Sequence, residues 1–144
     1  MEIAVENRQT RIPLRLAAIR KIIKRILKYE GIRKARIGCI FVSALQIRAI
    51  NRKFLKKDYV TDVLSFDLKE GKRRPGRSFD LTGEIVICPE AAQGNAKVFK
   101  TSLEEEIILY IIHGILHLLG YDDHRRRDIR RMRQREKEIM QRLL

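Results

Sequence analysis

The histidines of this chain are concentrated in one short segment. All three, His113, His117 and His124, fall within twelve residues. The apolar run around the first two predicts a buried helix that ends near Leu119, before Gly120. Because residues four apart lie on the same face of a helix, His113 and His117 would project side by side. That arrangement is typical of two ligands to one metal ion.

Gly120 allows the chain to reverse direction after this helix, which can bring a third ligand from the next turn toward the same ion. Three protein ligands and one open position suit catalytic zinc, which lowers the pKa of its water toward about 7. The segment is therefore predicted to hold one divalent metal ion, with zinc as its expected identity. The alternative is a pair of core histidines hydrogen-bonded to carbonyl groups, which does not explain why every histidine lies in this segment.

The balance of charge points to a polyanionic partner. Among 144 residues, 32 are Lys or Arg and 18 are Asp or Glu, so the formal net charge is +14 and the pI is near 10.3. Such a field speeds encounter with polyanions, and the release of counterions favours binding to phosphate chains. Nucleic acid is the leading partner class, and the arginines between Arg125 and Arg135 are candidate phosphate contacts. An anionic membrane surface, or arginines paired with Asp128, Glu136 and Glu138, are the alternatives.

Length and composition predict one globular domain spanning residues 1–144. The apolar stretch from Ile107 to Leu119 is too short to cross a bilayer, and the N-terminal residues lack the pattern of a signal peptide. Cys39 and Cys88 lie in short apolar runs and have no second cysteine at metal-ligand spacing. They are expected to be small buried side chains in a reducing compartment. We therefore expect a cytoplasmic protein that does not associate with membranes.

Hydrophobic periodicity predicts strands and helices in an α+β layered fold, with the third and fourth strands as neighbours. The predicted strands cover Ile3 to Glu6, Arg36 to Val42, a segment ending at Phe66, and Gly83 to Cys88. The predicted helices run from Pro13 to Gly31, from Ser43 through Phe54, from Pro89 to Phe99, from Ser102 to Leu119, and from Asp128 to the end. In the second helix, Leu45, Ile50 and Phe54 are expected to face the core. Residues 69–78 form a predicted exposed loop.

The histidine segment resembles the hallmark of the YbeY family of endoribonucleases and ribosomal RNA maturation factors, His-Gly-x-Leu-His-Leu-x-Gly-Tyr-Asp-His. Asn51 through Phe66 and Gly83 through Ile87 also resemble the family, so the similarity spans about half of the chain. The resemblance implies a zincin-like α+β fold, in which helices flank a mixed four-stranded sheet and a buried helix carries the metal site. It also implies a metal-dependent nuclease that cuts single-stranded RNA in ribosomal RNA maturation and ribosome quality control. Ribosomal RNA and ribosomal components are the implied partners.

The chain departs from the family pattern at two positions. Asp123 stands where the pattern places its third histidine, and His124 follows one residue later. Because a surface turn tolerates an inserted residue, we expect His124 to be the third metal ligand. Asp123 is then the alternative ligand or a catalytic acceptor that orients a bound water. Leu55 stands where the pattern has an arginine, so Lys56 and Lys57 become the candidate RNA-binding residues, unless they belong to a solvated basic loop.

Two other classes of function compete with the nuclease. A metalloprotease with the His-x-x-x-His pattern needs a glutamate beside the first histidine as general base, and Gly114 occupies that position. A non-catalytic RNA-binding assembly factor, whose metal only stabilises the fold, is the stronger alternative. It stays open because no residue is identified from the sequence as an obligatory general base.

Overall fold

The computed structural model describes residues 1–68 and 80–144, and the predicted loop at residues 69–78 lies outside these residues. The strands are β1 (Glu2–Asn7), β2 (Lys34–Phe41), β3 (Val63–Asp67) and β4 (Asp80–Ile87). The helices are α1 (Leu16–Tyr29), α2 (Ala44–Leu55), α3 (Pro89–Phe99), α4 (Leu103–Leu118) and α5 (Arg126–Leu143). Each strand and helix expected from the sequence is present, with ends that differ by a few residues.

The strands of the described chain form one mixed sheet in the order β1-β2-β4-β3. β1 runs parallel to β2, and β2 runs parallel to β4, whereas β3 runs antiparallel to β4. Parallel neighbours need a crossover connection, which α1 supplies between β1 and β2. The expected α+β class, the four-stranded mixed sheet and the pairing of the third and fourth strands are all confirmed.

The two faces of the sheet carry separate apolar clusters, because successive strand residues point to opposite faces. On one face, Ile85 of β4 packs in the larger cluster with Ile115 of α4. On the other face, Val86 belongs to a smaller cluster with Ile47 of α2 and Leu64 of β3. The helix α4 also contacts α1, α3 and α5, which explains its apolar sequence. Within the described ranges, neither α4 nor any other helix is long and apolar enough to cross a membrane.

The helix α2 begins as its sequence predicts, with a capping box at Ser43. The Oγ atom of Ser43 accepts a hydrogen bond from the backbone N–H of Gln46 at 3.2 Å, and Oε1 of Gln46 accepts one from the backbone N–H of Ser43 at 2.9 Å. These two bonds satisfy backbone donors that the helix itself leaves unpaired. The start of α2 is therefore fixed locally, independently of the rest of the fold.

The core-facing residues expected for α2 are partly wrong. Leu45 is 79% exposed and Phe54 is 59% exposed, whereas Ile50 packs against the smaller cluster as expected. Leu45 precedes the buried Ile47 by two residues, about 200° around the helix, so it faces away from the sheet. Phe54 lies in the last turn, where its ring meets Phe66 edge-on with centroids 5.5 Å apart instead of entering the core.

Both cysteines are fully buried free thiols, as the sequence predicts. Burial raises the pKa of Cys39 to about 12, so its thiol stays protonated at neutral pH and is a poor nucleophile. Burial also raises the pKa of Cys88. The two side chains therefore serve as small apolar packing groups.

Gly114 sets the distance between α4 and the sheet. A Cβ atom at this position would lie 2.9 Å from Cγ2 and 3.1 Å from Cδ1 of Ile85, a side chain that is fully buried. The facing strand has a similar contact, since a Cβ atom at Gly83 would lie 2.7 Å from the methyl groups of Leu118. Each of the two glycines thus makes room for one side chain of the other element, which allows α4 and β4 to pack closely at the helical turns that carry the histidines.

We expect Gly114→Ala to lower the free energy of unfolding by about 1 to 3 kcal/mol, because the added methyl group meets the buried Ile85. Gly94→Ala is the matched control, because Gly94 lies in α3 with no atom within 4 Å of an added Cβ. That change should stabilise the protein by up to about 1 kcal/mol, since alanine has the higher helix propensity. Urea denaturation measures both changes, and equal effects would contradict the close contact at Gly114.

Candidate metal centre

His113 and His117 lie in the last turns of α4, on a face that is partly open to solvent. Their side chains are 20% and 28% exposed, and their Nε2 atoms are 3.0 Å apart. The two rings are nearly perpendicular, at 83°, with centroids 4.5 Å apart. The helical spacing of four residues therefore brings two imidazole nitrogens to one point, as the sequence predicts.

Each imidazole ring is fixed through its other nitrogen. Nδ1 of His117 lies 3.1 Å from the carbonyl oxygen of Tyr121, which can only accept, so Nδ1 carries the proton and donates. Nδ1 of His113 lies 3.0 Å from Oε2 of Glu136, which also accepts. In the neutral tautomer with the proton on Nδ1, the Nε2 atom is the one that binds a metal ion.

Glu136 reaches the site from α5 and is almost completely buried, with 2% of its surface exposed. Its other oxygen, Oε1, accepts a hydrogen bond from Nη1 of Arg133 at 3.0 Å. Because both carboxylate oxygens are paired, the negative charge is tolerated inside the fold. Glu136 thus holds the ring of His113 in one orientation and one tautomer.

The turn after α4 brings Asp123, and not His124, to the histidine pair. Oδ2 of Asp123 lies 3.4 Å from Nε2 of His117 and 4.0 Å from Nε2 of His113. The side chain of His124 is 84% exposed, and its Nε2 lies 3.4 Å from Oδ1 of Asp122. The arrangement is therefore the reverse of the expected one, in which His124 is the ligand and Asp123 the alternative.

The backbone of the turn explains this reversal. Gly120, at φ 100°, turns the chain back over the end of α4. Oδ1 of Asp122 then accepts hydrogen bonds from the backbone N–H groups of Asp123 and His124, at 2.7 and 3.2 Å. These bonds fix the turn at Asp122, so that Asp123 meets the histidine pair while the side chain of His124 lies against Asp122.

The donor atoms of His113, His117 and Asp123 are spaced as one metal ion requires. Tetrahedral coordination at about 2.0 to 2.1 Å places neighbouring donor atoms about 3.3 to 3.4 Å apart. The three observed separations are 3.0, 3.4 and 4.0 Å, which bracket that value. Two neutral imidazoles and one carboxylate are also a donor set that divalent zinc accepts. These residues therefore fit a divalent metal ion.

The three donors line a cleft of about 550 Å³ that is bounded by α4, by the turn after it and by the segment between α2 and β3. His124 also lines this cleft, although its side chain is turned away from the histidine pair. Of the two lysines named as RNA contacts, Lys57 lines the cleft wall. Lys56 lies at the C-terminal end of α2 with φ 56°, where it is exposed beside the cleft.

The arginines of α5 fall into a paired and an unpaired group. Arg133 pairs with Glu136, and Arg135 pairs with Glu30 and Glu138, as in the alternative of an ion-paired surface. Five exposed arginines have no ion-pair partner among the described residues, namely Arg125, Arg126, Arg127, Arg130 and Arg131. The unpaired group begins directly after the turn that carries Asp123. Uncompensated positive charge therefore follows the candidate metal centre along the chain.

The sequence profile described as Endoribonuclease YbeY matches residues 4–144 of this chain. The chain belongs to the YbeY endoribonuclease family. A protein named Endoribonuclease YbeY from Desulforamulus reducens is 38% identical over 149 residues, which cover 99% of this chain and 97% of that protein. Another from Syntrophotalea carbinolica is 34% identical over 146 residues, which cover 98% of this chain and 95% of that protein. The resemblance seen in the histidine segment is thus confirmed over almost the whole chain.

The fold of this YbeY-family chain is also similar to a solved structure. The solution structure of TM1509 from Thermotoga maritima superposes on it with a TM-score of 0.67 at 31% sequence identity. The match covers 96% of this chain and 86% of that chain. The arrangement of sheet and helices described above therefore also occurs in a protein whose structure was determined in solution.

Two groups that orient the histidines were not identified from the sequence, namely Glu136 and the carbonyl group of Tyr121. From the sequence, Glu136 is expected only as an ion-pair partner of arginines. Its signal is its position, because it lies between Met132 and Ile139 on the buried face of a highly charged helix. A charged residue in a buried row predicts a specific partner. No side-chain pattern identifies a backbone carbonyl as a hydrogen-bond acceptor.

We expect Glu136→Ala to weaken zinc binding about 10- to 100-fold, because Nδ1 of His113 loses the acceptor that fixes its ring. Glu136→Gln should weaken zinc binding less, since an amide oxygen can still accept a hydrogen bond from Nδ1. Glu138→Ala, at a partly exposed position of the same helix, is the matched control and should keep the wild-type affinity. Isothermal titration calorimetry measures the affinities. Unchanged zinc binding by Glu136→Ala, together with lower stability, would leave Glu136 with a structural role alone.

Proposed function

We propose that this chain is a metal-dependent endoribonuclease that cuts single-stranded RNA. The observation that carries the proposal is the convergence of Nε2 of His113, Nε2 of His117 and Oδ2 of Asp123 in the wall of an open cleft. The relatives that match nearly the whole chain are named endoribonucleases. The net charge of +14 favours a substrate rich in phosphates.

The proposed metal ligands are His113, His117 and Asp123, and the proposed ion is zinc. When bound, such an ion supplies Lewis acidity toward a phosphodiester and lowers the pKa of water at neutral pH. The carboxylate of Asp123 adds a negative charge that three imidazoles would lack, which strengthens the attraction for a divalent cation. In this assignment Asp123 is a ligand rather than an acceptor that orients water, and His124 is not required for binding.

The surrounding residues keep the ligands ready for the ion. Glu136 and the carbonyl group of Tyr121 hold the protons on the Nδ1 atoms, so both Nε2 lone pairs stay available. Ser65 of β3 donates from Oγ to the carbonyl oxygen of Gly114 at 3.1 Å, which ties the strand beside the cleft to the ligand helix. These contacts restrict the rotation of both rings, as a preorganised metal site requires.

The proposed RNA contacts are made by positive charges around the cleft. Lys57 lines the cleft, and Lys56 is exposed next to it. The unpaired arginines at the start of α5 extend the positive surface away from the metal centre. Contacts of these ammonium and guanidinium groups with phosphates would hold the strand without reading its sequence.

We further propose that the substrate is ribosomal RNA, and that the protein acts in ribosomal RNA maturation and ribosome quality control in the cytoplasm. The resemblance to the YbeY family supports this role. The buried free thiols of Cys39 and Cys88 suit a reducing compartment. Ribosomal components are the partners that follow from the proposal.

A second candidate function is that of a non-catalytic RNA-binding assembly factor. The strong positive charge favours it, because binding alone needs no water-activating group. The ligand geometry favours the nuclease instead, since the three donors open onto a cleft and are not enclosed on all sides. Proteolysis by the usual scheme is disfavoured, because Gly114 faces Ile85 and a glutamate would not fit between helix and sheet.

We expect zinc to start the cleavage of single-stranded RNA by the metal-free protein, and His113→Ala to lower the cleavage rate by at least about 100-fold. The same variant should keep its RNA affinity, because the phosphate contacts lie on other side chains. Gel-resolved cleavage and fluorescence anisotropy measure the two properties, with Glu138→Ala as control. RNA binding without cleavage at any divalent ion would favour the assembly factor.

We expect Asp123→Ala to weaken zinc binding more than about 10-fold, because one of three protein ligands is lost. Asp123→His restores the histidine of the family pattern and should retain tight binding. His124→Ala should leave the affinity unchanged, since this side chain is directed at Asp122. Competition with a chelating dye measures the affinities. If His124→Ala alone released the ion, His124 would be the third ligand.

A further inference from the structure

The segment between α2 and β3 exposes apolar side chains beside the metal cleft. Leu55 is 47% exposed and Tyr59 is 52% exposed. Both line the same cleft as His113 and His117. Apolar side chains exposed to water lack the stabilisation that burial would provide. Their position therefore suggests that they cover an apolar part of a ligand.

Tyr59 is held in place by hydrogen bonds to its backbone and to the side chain of Asp58, whereas its own ring makes no such contact. Nδ2 of Asn51 donates to the carbonyl oxygen of Tyr59 at 3.1 Å, and Asn51 is 1% exposed. Nε of Arg48 donates to Oδ1 of the preceding residue, Asp58, at 2.8 Å. The chain at Tyr59 is thus tied to α2 at two adjacent residues. Across residues 1–68 and 80–144, its ring has no aromatic or cation contact and its hydroxyl has no hydrogen bond.

Phe54, the neighbouring exposed aromatic residue, is already engaged. Its ring meets Phe66 edge-on at 5.5 Å, and Nζ of Lys53 lies 5.3 Å from the ring centroid. Phe54 also does not line the cleft, whereas Tyr59 does. Apart from the histidines, Tyr59 is the aromatic side chain of the described residues that lines the cleft of the proposed metal site.

We propose that Tyr59 is a stacking platform for one unpaired base of the RNA substrate, held in position by Asn51. The proposal rests on the proposed endoribonuclease function and specifies which part of the RNA the cleft binds. Every base has a flat π-face, so stacking on one ring accepts any of them. A base inside a duplex is already stacked on its neighbours, so the platform selects single strands and loops.

The residues beside Tyr59 complement the rest of a nucleotide. Leu55 lines the same part of the cleft wall and offers apolar contact. Lys57 lines the same wall and provides an ammonium group for a phosphate. An aliphatic side chain, a cation and an aromatic ring thus occur within residues 55–59, where they can meet the base and the phosphate of one nucleotide.

The test combines removal of the Tyr59 ring from the protein with removal of single bases from the RNA. A single-stranded oligoribonucleotide is prepared with one abasic nucleotide at each position in turn, which deletes a base and leaves every phosphate. Binding to the zinc-loaded wild type, Tyr59→Ala, Tyr59→Phe and Tyr59→Leu is measured by fluorescence anisotropy in the cold, with the RNA checked for integrity. Phe99→Ala in α3 is the matched control, because Phe99 is 64% exposed and does not line the cleft.

We expect Tyr59→Ala to weaken RNA binding roughly 5- to 150-fold, as the loss of one base–aromatic stack predicts. Tyr59→Phe keeps the ring and should retain the affinity for RNA. Tyr59→Leu keeps an apolar side chain without a ring and should lose most of the stacking contribution. The leucine variant therefore tests the proposal even if the alanine variant is unstable. At one position of the oligoribonucleotide, removal of the base should lower the affinity of the wild type by a similar factor. The same removal should not lower the affinity of Tyr59→Ala any further.

If each abasic substitution lowered the affinity of the wild type and of Tyr59→Ala equally at every position, the stacking role of Tyr59 would be wrong. An equal loss in Tyr59→Phe and Tyr59→Ala would also overturn it, since the hydroxyl group would then be the contact. Cleavage of the intact oligoribonucleotide by the wild type is scored separately. Absence of cleavage would count against the endoribonuclease function, whereas absence of coupling between ring and base would count against the platform alone.

Discussion

The close packing of α4 on β4 is the contact on which the candidate site depends. Gly114 has no side chain of its own, so the backbone of α4 lies directly against the side chain of Ile85. The flanking turns then present His113 and His117 to the cleft. A close-packed interior permits little rotation of a buried helix, because a turn in either direction would expose apolar side chains and force overlaps. The positions of the two Nε2 atoms are therefore set by the core.

The rest of the site comes from α5 and from the turn that follows α4. α5 contributes Glu136, whose buried carboxylate would be destabilising without partners and is paired with both His113 and Arg133. The turn after α4 contributes Asp123 through the hydrogen bonds of Asp122. The C-terminal helix thus has two functions, since it covers α4 with Met132 and Ile139 and also orients a ligand. Stability and metal geometry are coupled through this helix.

The cleft combines three kinds of surface that a nucleic acid requires. The proposed metal ligands would hold a cation, Lys57 supplies positive charge, and Tyr59 with Leu55 supplies apolar surface. The unpaired arginines at the start of α5 follow the ligand turn directly. A high net charge alone would suit any polyanion, whereas an aromatic ring beside the proposed metal site would favour an unpaired base over a bare phosphate chain. In this proposal the local arrangement adds a selectivity that composition does not have.

The sequence by itself determined the features that depend on local periodicity. A spacing of four residues is enough to place His113 and His117 together on a helix, and hydrophobic patterns are enough to locate the strands and helices. Only the tertiary structure places Asp123 beside the histidine pair, leaves Leu45 and Phe54 exposed, and brings Glu136 to His113. Periodicity is a property of neighbouring residues along the chain. The position of Asp123 depends on hydrogen bonds within one turn and on the packing of separate helices, which a pattern of residue types does not encode.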